Sequence, residues 1–402
     1  MAPGRNRCGS GQVISRPILT LALAETLIWA TTFYMFPALL PTWESELGWD
    51  KRLLSGAFTV ALLVSAVLSP LAGRLIDKGH GRVVLAGSTL IACLGLAGLA
   101  SVTQPWQFYL AWAMLGVAMS GALYEACFAF VVWLVGIRSR QAITTITLVA
   151  GLAGTASFPS VHWLVGLVGW RNCLWLFALV ALVVILPLFV SVPTRRVASS
   201  EEHHQDSTSS YSIADALRSP LFWLLALAFA GIALEHGILI SHLLPILHDR
   251  GISPDQAVFY AACIGPMQVF GRLLMIAVQV RVSMMAIAML SSFLAMIGVV
   301  SLKLAITMGV LAMAFVLIHG ASYGVSSITR PVITMEMMGR QNFGAISGMI
   351  GSMFMAMTAL APILAALLWG VGGYDLVLWF AILICMFSFV CLYLLQRRAR
   401  IT

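Results

Sequence analysis

Charge is what this chain has least of. Asp, Glu, Lys and Arg make up 9% of its 402 residues, against about 25% in a water-soluble domain. Together with a mean hydropathy of +0.97, that shortage excludes water as the main solvent. Strict apolar–polar alternation is also absent, which excludes a membrane barrel. The seven cysteines form no CxxC pair. Cys93, Cys127, Cys173, Cys263, Cys385 and Cys391 lie in or near apolar runs and Cys8 in the polar N-terminal tail, so buried thiols rather than disulfides are expected. No HExxH, GxSxG or paired-aspartate motif stands where an enzyme would need one, which speaks against an enzyme. No stretch is long enough for a soluble signalling domain, which speaks against a receptor. The net charge of +8 is spread over short loops and termini, which is not a nucleic-acid footprint.

What is present is a series of continuous apolar runs, each long enough to cross a bilayer. They predict helices at 18–40, 53–75, 83–101, 106–133, 142–166, 171–191, 221–247, 256–280, 283–302, 305–327, 342–369 and 374–395. The first run is too long for a cleaved signal and is expected to stay as an anchor. Of the 23 Lys and Arg residues, all but Lys51, Arg52, Arg171, Arg250 and Lys303 fall on one side or in span ends leading there. The positive-inside bias makes that side cytoplasmic, with both termini on it. Residues 192–218 are polar and serine-rich, and include His203 and His204. With nothing to bury they read as a flexible linker. The division is therefore 1–191, a six-helix bundle; 192–218, the linker; and 219–402, a second six-helix bundle.

The halves echo each other in chain order. Gly73-Arg74-Leu75 recurs as Gly271-Arg272-Leu273, and Gly121-Ala122-Leu123-Tyr124 as Gly320-Ala321-Ser322-Tyr323. Gly169-Trp170-Arg171 recurs as Gly373-Tyr374-Asp375, and Leu39-Leu40-Pro41 as Leu243-Leu244-Pro245. The turn Gly73-Arg74-Leu75-Ile76-Asp77-Lys78-Gly79-His80-Gly81-Arg82 lies between the second and third runs. It resembles the corresponding loop of the major facilitator superfamily, Gly-x-x-x-Asp-Arg/Lys-x-Gly-Arg, with one extra residue before Gly81-Arg82. Loop and repeats together carry the resemblance over essentially the whole chain.

That resemblance implies an all-α polytopic protein of 12 transmembrane helices in two pseudo-symmetric six-helix bundles, and secondary transport by alternating access. It also implies that Gly73, Asp77, Lys78 and Arg82 form a cytoplasmic gate, with Asp77 held against the second half by helix-end and arginine contacts. Gln268-Val269-Phe270-Gly271-Arg272 is similar to the eighth span of the monocarboxylate porter branch, where an arginine binds the substrate carboxylate. That branch often has an acid where Gln268 stands. The same residue, Arg272, repeats Arg74 and can equally be an anchor of the second-half gate.

Charged and polar residues inside spans are functional candidates because something must offset their desolvation. For substrate binding they are Arg272 and Gln268, one turn apart on one face, with Tyr124, Tyr323, His242 and His319. For proton coupling they are Glu235, Glu25 and Glu125, since a carboxyl in an apolar bundle can take up and release a proton. Each of these also has an ordinary reading as a packing group or a partner to an intramembrane arginine. The resulting expectation is a monomeric carrier of the inner (plasma) membrane, without cofactor or metal. Its partners are a small-molecule substrate, protons and the lipid bilayer. The substrate is a small organic anion of monocarboxylate type. The alternatives are efflux of a toxic compound such as a drug or metalloid, and passage of a neutral nutrient such as a vitamin.

Overall fold

A computed structural model describes residues 16–194, 211–306 and 308–399. Cys8, the N-terminal tail and most of the linker, including His203 and His204, lie outside them. Among the described residues, nine continuous apolar helical stretches are long enough to cross a membrane. Three of these are broken once each by glycines at positive φ: Gly79, Gly169 and the Gly372-Gly373 pair, where Gly373 has φ 65°. Nine stretches with three breaks give twelve spans. Glycine is needed at these corners because an L side chain is strained there.

In chain order the spans are Arg16–Leu47, Lys51–Leu75, Gly81–Ala100, Pro105–Val135, 139–168, 170–191, Pro220–Ser241, Pro254–Val278, Met284–Leu304, Val310–Met338, 343–371 and 374–399. Their starts follow from local chemistry. Asp50 accepts the N–H of Arg52 at 3.0 Å, and Ser283 that of Ala286 at 3.2 Å. Ser219-Pro220 and Ser253-Pro254 place a proline in the first turn, where its missing N–H costs nothing.

The halves are built alike. Span 4 packs on spans 2 and 3 as span 10 packs on spans 8 and 9, and span 1 meets span 5 as span 7 meets span 11. Even the corners at the end away from the 76–80 turn correspond. Arg171, opening span 6, donates to the carbonyl of Ala100 at the end of span 3, at 2.8 Å. Asp375, opening span 12, pairs with Lys303 at the end of span 9, at 3.1 Å. Large side chains such as Val67, Leu94, Trp163 and Ile363 are exposed on the outside, as suits a lipid-facing surface.

Three expected spans differ. The tenth was expected at 305–327 and runs Val310–Met338. Beyond residue 327 the helix continues through Arg330 and Glu336, because both charges meet partners from the first half, Glu125 and Arg140. The seventh ends at Ser241, and a break at His242 starts the separate helix Leu243–Asp249. The first is longer than expected and breaks at Phe33-Tyr34 into Arg16–Thr32 and Met35–Leu47.

The halves close against each other on the side of the 76–80 turn and the connector. A Cβ on Gly73 would overlap the Gly344 carbonyl, and one on Gly348 would stand 2.6 Å from the Ser69 carbonyl oxygen. Glycine on both helices therefore lets spans 2 and 11 touch backbone to backbone. Ser352 adds a hydrogen bond to the Ala66 carbonyl.

Candidate functional site

Three breaks in helical geometry bring polar groups to the junction of the halves. The turn at Phe33-Tyr34 in span 1 turns Tyr34 inward. Leu123, extended at φ −92° and ψ −172°, interrupts span 4, so that Tyr124 and Glu125 begin a new helix inside the bundle. Span 5 breaks at Gly151-Leu152, and its glycines admit the second half: a Cβ on Gly151 would strike Nη1 of Arg272, and one on Gly154 would press on the Tyr34 ring.

Arg272 is 6% exposed. Its Nε donates to the carbonyl of Gly324 in span 10 at 3.1 Å. Among the described residues no carboxylate comes within 4.0 Å of it. Tyr34, Tyr124 and Tyr323 lie within electrostatic reach of its guanidinium. Gln268 is half-buried on the same helix, its backbone touching Gly324. Trp29 closes one wall, its ring 4.7 Å from that of Tyr124. Arg74, the repeat partner of Arg272, is exposed, so the two arginines occupy different surroundings.

The other interior arginines are paired. Arg330, 8% exposed, sits 2.7 Å from Oε1 of Glu125 and lies over the ring of Phe354. Arg140 reaches Glu336 at 3.8 Å and the carbonyl of Gln279 at 3.4 Å. Arg330 was counted from sequence among residues leading to the cytoplasmic side; the structure buries it between the halves. Its signal in the sequence is an arginine within seven residues of the Tyr323 repeat position.

The three candidate acids part company. Glu125 is the partner of Arg330. Glu25 is fully buried beside the Cys127 thiol and the Trp29 indole, and among the described residues neither of its oxygens has an aligned hydrogen-bond partner. Glu235, in span 7, places Oε1 3.3 Å from Nδ1 of His319, within charge-pairing range but not aligned as a hydrogen bond. His319 continues through Nε2 to Nδ1 of His236 at 3.1 Å, and His236 stacks on Tyr323 with ring centroids 3.2 Å apart. His236 was missed as a site residue in the sequence, where nothing shows that it meets His319.

His242 lies elsewhere. It sits at the end of the second half away from the Asp77 turn, 3.4 Å from the Tyr374 hydroxyl and 3.4 Å from the Pro362 carbonyl, apart from Arg272. At the opposite end, the carboxylate of Asp77 accepts the N–H groups of Gly344 and Ala345, each at 2.8 Å. These are the first-turn donors of span 11, which its own helix leaves open. Burial pushes the Asp77 carboxyl up, and the N–H of Ala345, then that of Gly344, pulls it back. The expected arginine contact is replaced by these two backbone donors. Lys78 is exposed, and Arg82 donates to the Val190 carbonyl at 3.3 Å within the first half.

The fold of a bacterial homologue of the iron transporter ferroportin, crystallised in an outward-facing state with soaked iron, superposes with a TM-score of 0.74. It covers 95% of this chain and 100% of that one, at 13% identity, a likeness of fold. An uncharacterized 38 kDa protein in the 23S RNA operon of Thermoproteus tenax is 29% identical over 198 residues, 49% of this chain and 49% of that protein. The chain thus spans about half the length of this curated relative. The model of the Major Facilitator Superfamily matches residues 21–362, from the first span through the glycine-rich face of the eleventh. With that match spanning both halves, the chain belongs to the Major Facilitator Superfamily.

Proposed function

We propose that the chain is a secondary active transporter that carries a small organic anion of monocarboxylate type by alternating access, coupled to protons. The single observation behind this is Arg272, a buried guanidinium with no carboxylate within 4.0 Å among the described residues. A permanent charge in a low-dielectric interior needs an anion. Arg330, Arg140 and Arg250 each have one in the protein itself. For Arg272 the substrate carboxylate supplies it, held by the guanidinium fork, with Tyr34, Tyr124, Tyr323 and Gln268 as hydroxyl and amide partners. The contact with Gly151 makes Arg272 a reader of the first half as well, so binding and closure are linked.

Asp77, set on the first turn of span 11 with Gly73 packed beneath it, is the latch that keeps the cytoplasmic side shut. Lys78 and Arg82 hold the turn at the membrane surface. Glu235 with His319 and His236 is the coupling group of the second half, and Glu25 that of the first. Glu125 is spent on Arg330, and His242 belongs to the outer loops. The same proposal has the carrier act in the inner membrane as a monomer, with both termini cytoplasmic, on the strength of the one-sided Lys and Arg distribution.

The runner-up is export of a toxic compound or passage of a neutral nutrient. A neutral cargo would leave Arg272 uncompensated. An iron cargo, as in the ferroportin homologue, finds no group of three His, Cys, Asp or Glu side chains among the described residues to hold it. The test is uptake of labelled monocarboxylates into proteoliposomes under an acid-outside gradient. Arg272→Ala and Arg272→Lys are both expected to lose uptake, the latter because charge without the fork is insufficient. Wild-type uptake by Arg272→Lys would overturn the assignment.

A further inference from the structure

Behind Tyr323, spans 7, 9, 10 and 12 of the second half enclose a small cavity of about 20 Å³, room for one water-sized guest. Its polar wall is made by Glu235, Ser291, Ser322, Ser326, Ser388 and His319. Three of the atoms there are buried without an aligned hydrogen-bond partner among the described residues: Oγ of Ser388, and Oε1 of Glu235 and Nδ1 of His319, which stand 3.3 Å apart but out of line. Buried polar atoms in this state are costly, and three around one space call for an occupant.

The wall also has a sign. Ser291, Ser322 and Ser326 donate their hydroxyl protons to helix carbonyls at 2.9, 2.7 and 2.7 Å. What they have left to offer is lone pairs. Gly231, one turn before Glu235, makes room for Ser388, whose Oγ a Cβ there would strike. Facing Glu235 are His319 from span 10, the Cys385 thiol from span 12 and, further off, Tyr323; span 9 brings only hydroxyls. Among the described residues no Lys or Arg lies within 4.0 Å of Glu235.

An acceptor-rich wall with one carboxylate and no fixed cation suits a hard cation with oxygen ligands. A divalent ion would retain one uncompensated charge, because Glu235 is the one acid in the wall. We infer that this cavity is a Na⁺ site, where Na⁺ and the proton compete for Glu235. The inference rests on the proposed role of Glu235 in coupling and extends it: the same carboxylate accepts either ion, so the Na⁺ and proton gradients act through one position.

The experiment is thermal unfolding of the purified full-length chain in detergent, in NaCl, KCl and choline chloride at equal ionic strength, at alkaline and at acid pH. A ligand that binds only the native form raises the midpoint. At alkaline pH, Na⁺ should raise it by a few degrees over K⁺ and choline. At acid pH the difference should shrink as protons take the site. Glu235→Gln should abolish the Na⁺ effect, and Ser388→Ala should raise the half-saturating Na⁺ concentration several-fold. Equal midpoints in the three salts overturn the inference, as does a Na⁺ effect that survives in Glu235→Gln. If that variant does not fold, an unchanged half-saturation in Ser388→Ala overturns it. The two readings fail separately. Loss of pH-driven uptake in Glu235→Gln without any Na⁺ effect removes only the Na⁺ site. Retained pH-driven uptake with the Na⁺ effect gone removes only the coupling role.

Discussion

Glu125 and Arg330 stand 2.7 Å apart across the junction of the two halves, although 205 residues separate them in the chain. Each is a charge buried in the interior, and each is the reason the other can be there.

Removing one of them leaves the other uncompensated. Glu125→Ala or Arg330→Ala should destabilise the folded chain by about 3–5 kcal/mol. Combining Glu125→Gln with Arg330→Met should recover a large part, since no buried charge remains. Chemical denaturation in detergent gives the comparison. A double variant less stable than both single ones would show that the pair is not the source of the loss.

Gly151 should be intolerant of a side chain for a functional reason. A Cβ there would displace Nη1 of Arg272, so Gly151→Val should push the guanidinium off its seat. Substrate affinity is expected to fall roughly tenfold, about 1.4 kcal/mol. Binding titration of the purified variant checks this, and unchanged affinity together with normal folding would rule out the seat.

The Asp77 carboxylate makes two charge-assisted bonds to span 11. Asn can accept with one oxygen only and carries no charge, so Asp77→Asn should weaken the latch by about 1.5–3 kcal/mol. Ser69, 3% exposed against span 11, reports on this when changed to Cys. A membrane-impermeant maleimide applied from the cytoplasmic side should label it several-fold faster in the Asp77→Asn background. Equal labelling rates would remove the latch.

At the end of the molecule away from Asp77, Asp375 receives Arg250 at 2.6 Å and Lys303 at 3.1 Å. The Arg250 hydrogen bond first, then that of Lys303, holds its carboxyl below its ordinary value of 3.8. The folded form therefore binds this proton more weakly than the unfolded chain does. The stability that results is present above pH 3.8 and is lost as the pH falls below it. Asp375→Asn should lower the unfolding midpoint slightly at neutral pH, the group being largely exposed. The gap to wild type should narrow in acid. A gap of constant size from neutral to acid pH would mean that the tie contributes through packing alone.

Much of this architecture can be read from local composition. Apolar runs show spans directly because a bilayer demands continuous hydrophobicity from each helix on its own. The corners at Gly79, Gly169 and Gly373 are visible as glycines between such runs. The Asp77 turn is visible for the same reason, being a charged interruption that must lie at the surface. Arg272 and Gln268 stand out because a charge within a span is rare.

The sequence by itself determined the solvent, the number of spans, the repeat and a short roster of polar residues inside it. Only the tertiary structure decided which of these meet. It gave Glu125 to Arg330, set His319 between Glu235 and His236, put His242 at a helix break away from Arg272, and left Arg272 without an acid among the described residues. The physical reason is range. Hydrophobicity acts residue by residue along one helix, whereas pairing of buried charges depends on which helix faces turn inward together, across hundreds of residues of chain.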